Sequence, residues 1–210
     1  NLQTLLEKEP RFTFEIGCGH GHWLTAYAQK FPQKFCLGID LITTRIERSN
    51  RKQTLGKIDN VAFLKAEATE FLDALDATHR LQEIFILYPD PWPKKRHHKR
   101  RLLQPDFVRE VARVLEPGGL FHVATDWADY ARHTREVMEQ SPEFAAVPAQ
   151  ELTTDRLAFR PPTKFERRGR RLGSCGSFWP KPDAGNGFDD RFWGSGRLCA
   201  VCLHAPRGHG

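Results

Sequence analysis

A doubly wound α/β fold with a mostly parallel sheet is predicted by three features of this sequence. Short apolar runs alternate with amphipathic helical stretches through residues 12–140, the order that builds parallel strands with helices on both faces. The first run leads through a glycine-rich turn, GCGHG at residues 17–21, into a helical stretch. Carboxylates stand at the ends of the later runs, at Asp40, Glu67, Asp90 and Asp126. In an open α/β sheet the carboxyl ends of the strands carry the ligand crevice, so these acids are expected to converge there.

Each element follows from its local pattern. Residues 12–16, FTFEI, read as the first strand, and residues 23–30 as the helix after the glycine turn. Gly17 and Gly19 let the backbone turn sharply and approach a ligand closely. Their G-x-G-x-G spacing differs from the G-x-G-x-x-G of hydride-transfer enzymes and specifies little by itself. Residues 35–39 form the second strand and end at Asp40, where a carboxylate can accept from both ribose hydroxyls of a nucleoside. A helix over 42–55 and a strand over 61–66 follow, the strand ending at Glu67. The fourth strand, 81–87, runs into YPDPWPKKRHHKRR. Its three prolines remove donors and fix φ, which stops the sheet and displays Asp90 and Trp92 on a stiff rim. Residues 104–115 carry Phe107, Val108, Val111, Val114 and Leu115 at helical spacing. Pro117, Gly118 and Gly119 then turn the chain into a fifth strand, 120–124, and a helix over 127–140 completes the alternation.

The charge is local. The chain has 210 residues and net charge +6, yet residues 94–101 hold six Lys/Arg and two His, and residues 163–171 are net +4. The rest of the chain is therefore net −4. Two basic patches on an acidic body suit a polyanion such as a phosphate backbone. Strand-end acids suit a cationic ligand better than a pyrophosphate, and a nucleoside bearing a sulfonium and an ammonium has that charge. Helix N-capping is the alternative role for one or two of these acids. Trp92 either stacks on an exposed base or packs under the basic loop. Five widely spaced cysteines argue against a disulfide framework and for a reducing cytoplasm. Cys18 and Cys36 read as packing residues. No apolar run approaches the roughly 20 residues of a membrane span. No signal peptide is visible, and the first residue is Asn1, so an N-terminal segment is expected to be missing.

EIGCGHG at 15–21, PDPWPKKRHHKRR at 89–101, ATDW at 124–127 and TKFE at 163–166 together resemble the bacterial tRNA (guanine-N7-)-methyltransferases over residues 10–173. The resemblance implies a Rossmann-like class I methyltransferase fold and transfer of a methyl group from S-adenosyl-L-methionine to guanosine N7 in the tRNA variable loop. It places Glu15, Asp40, Glu67 and Asp90 at the cofactor, beside Gly17 and Gly19 of the glycine turn. It places Lys94, Asp126, Thr163, Lys164, Phe165 and Glu166 at the substrate, and Arg96, His97, His98, Lys99, Arg100 and Arg101 against RNA. Guanine N7 has an in-plane lone pair and no proton, so the reaction needs alignment rather than a general base. Asp90 is expected to be the catalytic carboxylate, since the prolines fix it where both ligands should meet; Asp126 is the other candidate. No metal is expected: one C-x-x-C at 199–202, without a second pair at suitable spacing, is too little for zinc.

After Gly173 the pattern changes. Relatives continue with a short apolar strand, whereas residues 174–210 hold seven of the sixteen glycines and three of the five cysteines. The methyltransferase domain is accordingly drawn at 1–173, with 174–210 as an atypical tail, disordered or translated out of frame. That tail is expected to offer no replacement for the last strand of the sheet. Two other readings remain beside the tRNA methyltransferase. One is a methyltransferase of small molecules, which leaves both basic patches unexplained. The other is a tRNA-binding protein made inactive by its C-terminus.

Overall fold

The computed structural model describes residues 6–76, 78–125, 127–146 and 199–204, of which 146 and 199–204 are described by their backbone. In chain order the elements are β1 (Arg11–Ile16), α1 (His22–Lys30), β2 (Cys36–Asp40), α2 (Thr43–Gly56), β3 (Val61–Lys65), α3 (Ala68–Asp73) and β4 (Arg80–Leu87). A 3₁₀ turn (Lys95–Arg100), α4 (Pro105–Val114), β5 (Leu115–Thr125), α5 (Ala128–Glu139), β6 (Ala145–Ala146) and β7 (Cys199–His204) follow. The strands form one sheet in the order β3-β2-β1-β4-β5-β7-β6. The first five are parallel, β7 runs antiparallel to β5, and β6 antiparallel to β7.

Period-two alternation along the strands loads both faces of the sheet. Phe12, Phe14 and Ile16 of β1 join Ile84, Ile86, Phe121 and Val123 in one apolar cluster, covered by α3, α4 and α5. Helix α4 supplies Phe107, Val108, Val111 and Val114, a stripe of the spacing a core-facing helix needs. Trp23, Leu24 and Tyr27 of α1, Ile46 of α2, Phe63 and Phe85 build the second cluster on the opposite face. A buried polar knot lies on that side. Tyr27 Oη donates to Glu83 Oε2 (2.5 Å), and Lys34 Nζ donates to Glu83 Oε1 (2.9 Å) and to Tyr27 Oη (3.0 Å). Burial raises the Glu83 pKa, but His122, Tyr27 and Lys34 outweigh it and hold the carboxyl below its ordinary value. Its stabilising contribution is therefore present above the unfolded-state pKa and lost as pH falls through the folded one.

Two local departures from the sequence reading have simple causes. Strand β5 begins at Leu115 rather than at residue 120, because Pro117, Gly118 and Gly119 form a bulge instead of a turn. Leu81 pairs with Leu115 and Glu83 with Leu120, so three extra residues are accommodated there. Gly118 takes φ +80°, and a Cβ on Gly119 would meet the Glu116 carbonyl at 2.9 Å, so both bulge glycines are required. Helix α3 has only six residues, too few for a periodic signal.

The larger correction concerns the tail. Residues 199–204, CAVCLH, form β7 and pair with β5 from Thr125↔Cys199 to Leu120↔His204. The expectation that nothing from residue 174 onward replaces the last strand is thus overturned. A strand within a sheet needs backbone pairing and a compatible neighbour more than ideal β-branched composition. The expected frame change at 174 lies outside the described residues. Deleting residues 199–210 should lower the urea midpoint and increase light scattering on warming, because the β5 edge loses its partner. An unchanged midpoint would mean that β7 contributes nothing to stability.

Candidate active site and basic loop

The glycine turn is built around one carboxylate. Gly17 and Cys18 N–H both donate to the Ile39 carbonyl at 2.9 Å, which ties the turn to the end of β2. Asp40, the next residue, accepts from Gly19 N–H at Oδ2 (3.0 Å) and from Ile42 N–H at Oδ1 (2.9 Å). Arg45 of α2 also reaches Asp40 Oδ2 (3.3 Å). Gly17, Gly19 and Gly21 take φ values of +77°, +57° and +63°, conformations that L side chains rarely adopt. A Cβ on Gly21 would meet the Phe63 ring at 2.6 Å, whereas Gly17 and Gly19 face open space, leaving room for a ligand against the backbone. Lys52 Nζ donates to the His20 carbonyl (2.7 Å) from the other side. Arg45 and Lys52, spaced on one helix, carry no signal in the sequence, where α2 reads as an ordinary charged surface.

Glu15 is the other half of this edge. It is buried in β1, and its Oε2 has no hydrogen-bond partner among the described residues. Burial first, and then the nearby Asp40 carboxylate, push its pKa up to about 8. Burial likewise raises Cys18, with Glu15 and Asp40 adding to it, and raises Cys36 to about 12; neither thiol is a nucleophile at neutral pH. A buried, unpartnered carboxylate beside a second carboxylate and an open glycine turn fits a ligand that carries positive charge.

Beyond β4 the chain forms a strained rim. Tyr88 and Trp92, on either side of Asp90, adopt φ values of +56° and +44°. Such non-glycine conformations cost on the order of 1–3 kcal/mol each and persist only where surrounding contacts impose them. Tyr88 N–H donates to the Ala124 carbonyl (2.7 Å), which anchors the entry of the rim to β5. Asp90 is exposed on it. Trp92 is half-buried beneath its own loop, with the Arg100 guanidinium 5.1 Å over its ring and His97 edge-on at 5.8 Å. Lys94, Lys95, Arg96, Lys99 and Arg100 are exposed, so the 3₁₀ turn presents a cationic surface.

Three sequence expectations need correction or restriction. Arg101 is not a surface residue: its side chain is 1 % exposed, and its guanidinium is spent inside the protein on Pro91, His98 and Asp129. His98 shares that network and is half-buried. Glu67 accepts from Glu70 N–H (2.9 Å) and caps α3, so it is one of the acids with a capping role. Asp126, Thr163, Lys164, Phe165 and Glu166 lie outside the described residues.

The strand order with an antiparallel β7, the glycine turn after β1 and the acidic end of β2 define a class I methyltransferase fold. Solved structures agree. A precorrin-6y C5,15-methyltransferase from Geobacter metallireducens GS-15 aligns with TM-score 0.52 and 17% identity, covering 66% of this chain and 64% of that one. An rRNA methylase from Streptococcus thermophilus aligns with TM-score 0.51 and 11% identity, covering 93% and 88%. A family model described as "putative methyltransferase" matches residues 9–176. A tRNA (guanine-N(7)-)-methyltransferase from Alkalilimnicola ehrlichii is 42% identical over 166 residues, covering 79% of this chain and 69% of that protein. The chain belongs to the tRNA (guanine-N(7)-)-methyltransferase family.

The Glu15 geometry generates a pH test. Its folded pKa of about 8 lies above the ordinary value of 4.5, so the folded state holds the proton more tightly than the unfolded chain does. Glu15 therefore costs no stability below the unfolded value and an increasing amount as pH rises from about 4.5 to about 8. Urea titrations of Glu15→Gln across that window should show a weaker decline of stability with pH than the parent protein. Parallel curves would place the titration elsewhere.

Proposed function

We propose that this chain transfers a methyl group from S-adenosyl-L-methionine to N7 of a guanosine in the variable loop of tRNA. The observation that carries this reading is the pairing of an acidic, glycine-lined cofactor edge with an exposed cationic turn, joined by the rim that displays Asp90. S-adenosyl-L-methionine supplies a methyl group activated by a sulfonium, which a neutral nitrogen can attack. Glu15 and Asp40 would hold its positive and ribose groups, with the glycine turn close against it and Glu67 at the neighbouring strand end. A cation beside the buried Glu15 carboxyl favours its ionised form.

Because N7 is unprotonated, no side chain has to remove a proton. Asp90 accepts from the N1–H and exocyclic amine of guanine, orients the base, and stabilises the positive charge that the purine acquires. Lys94, at the foot of the turn, and Asp126 with residues 163–166 are assigned to substrate by their motifs. Lys95, Arg96, Lys99 and Arg100 take phosphates, which fix register and supply most of the affinity. A small-molecule methyltransferase would have no use for that surface.

The test is incubation with labelled cofactor and bulk tRNA lacking N7-methylguanosine, followed by mass spectrometry of the nucleosides. N7-methylguanosine is expected, and label that stays off the tRNA would sink the reading. Asp90→Ala should reduce turnover by roughly 10²–10³, the scale of removing one preorganised electrostatic interaction, with a much smaller effect on tRNA affinity. Reversing charge at Lys95, Arg96 and Lys99 should lower the slope of log affinity against log salt by about one for each phosphate no longer neutralised, with cofactor affinity intact.

A further inference from the structure

The Arg101 guanidinium makes an unusual set of contacts for a residue in a run of exposed cations. Its Nε donates to the Pro91 carbonyl (3.0 Å), inside the rim and one residue beyond Asp90. Its Nη2 bonds to Asp129 in the first turn of α5 and lies 3.0 Å from His98 Nε2. Its Cζ lies over the Tyr130 ring, 5.1 Å from the centroid. The partners are themselves held. Tyr130 Oη accepts from Leu103 N–H (3.3 Å), His133 Nε2 lies 2.8 Å from the Leu103 carbonyl, and Gln104 Nε2 donates to the His98 carbonyl (3.0 Å). Asp129 also accepts from Arg132 (3.2 Å), and the Arg101 hydrogen bond holds its carboxyl below the usual range.

We propose that Arg101 is a positioning residue for the methyl transfer: with Asp129 it clamps the rim onto α5 and so fixes Asp90. Resting on the reading of Asp90 given above, the inference moves Arg101 from the RNA surface to the support of the active site. The physical need for such a clamp is the strain. Tyr88 and Trp92 hold positive φ, and a rim relieved of its anchor would relax toward ordinary backbone and carry Asp90 away. The planar fork of arginine serves the Pro91 carbonyl from Nε and the Asp129 carboxylate from Nη2, two separated donors in fixed geometry that the one nitrogen of lysine cannot match. Arg100, the next residue back, is exposed and covers Trp92 from outside, so adjacent arginines have opposite jobs.

The test compares Arg101→Lys, Asp129→Asn and the double variant in the full chain. Arg101→Lys keeps the positive charge, so its tRNA affinity and salt slope should match the parent. Its kcat at saturating tRNA should fall by about ten- to a hundredfold, the scale of a small misplacement of a reacting group. Asp129→Asn should fall in the same direction, and the double variant should be no slower than the slower single variant, since both break one clamp. An RNA-contact role predicts the opposite for Asp129→Asn, because removing a negative charge near the turn leaves kcat unchanged and strengthens tRNA binding. A kcat within about threefold of the parent for both single variants overturns the proposal. Trypsin cleavage within residues 94–100, measured without cofactor or tRNA, gives a readout independent of activity. It should accelerate in both variants. Unchanged cleavage overturns the clamp even where methyl transfer itself is absent, which separates failure of this inference from failure of the proposed reaction.

Discussion

The Asp40 carboxylate is the interaction around which the glycine turn is organised. It ends a fully buried strand, accepts from two backbone N–H groups, and faces Arg45. Without an acceptor at that point, Gly19 N–H would lose its bond, and only the Gly17 and Cys18 bonds to the Ile39 carbonyl would tie the turn to β2. After burial, the nearness of Asp40 is the second cause that keeps the proton on Glu15. Two acids close together thus divide their roles. One organises backbone, and the other lies buried with no hydrogen-bond partner at Oε2 among the described residues.

Electrostatics separates the two halves of the site in the same way. Carboxylates gather at the ends of β1 to β4, and the cations of residues 94–100 stand on the turn just beyond. The rim at 88–92 lies between them and is constrained by its prolines and by the hydrogen bond from Arg101 to the Pro91 carbonyl. Rigidity there is useful because a neutral nucleophile offers the protein no proton to manage. What remains to be contributed is geometry and charge, and both depend on fixed supports.

Most of this was legible in the sequence where one residue's type decides its place. Short apolar runs gave β1 to β4, helical spacing gave α4, and glycine before a helix gave the turn. Failures occurred where the outcome depends on partners distant in the chain. Arg101 is indistinguishable from Arg100 by type; only the approach of Asp129 and Tyr130 separates a buried guanidinium from a solvated one. The capping role of Glu67 was hidden because the helix it caps is too short to announce itself. The Pro-Gly-Gly bulge read as a turn because its extension is imposed by β4 alongside. CAVCLH lacks the pattern of an independent strand and gains its conformation from the edge of β5.

That last pairing has a consequence for how the protein comes into being. Thr125 and Cys199 are partners in the sheet, so the strand that closes the β5 edge is made long after the parallel core. During synthesis the core can condense once β5 and α5 have left the ribosome, with one flank still unpaired. Contacts between residues so distant in sequence form late and slowly, because closing a long loop carries an entropic cost. The nascent chain therefore passes through an interval in which its sheet can recruit a strand from another molecule. Cellular yield then depends on translation speed and chaperone supply as well as on the stability of the finished fold.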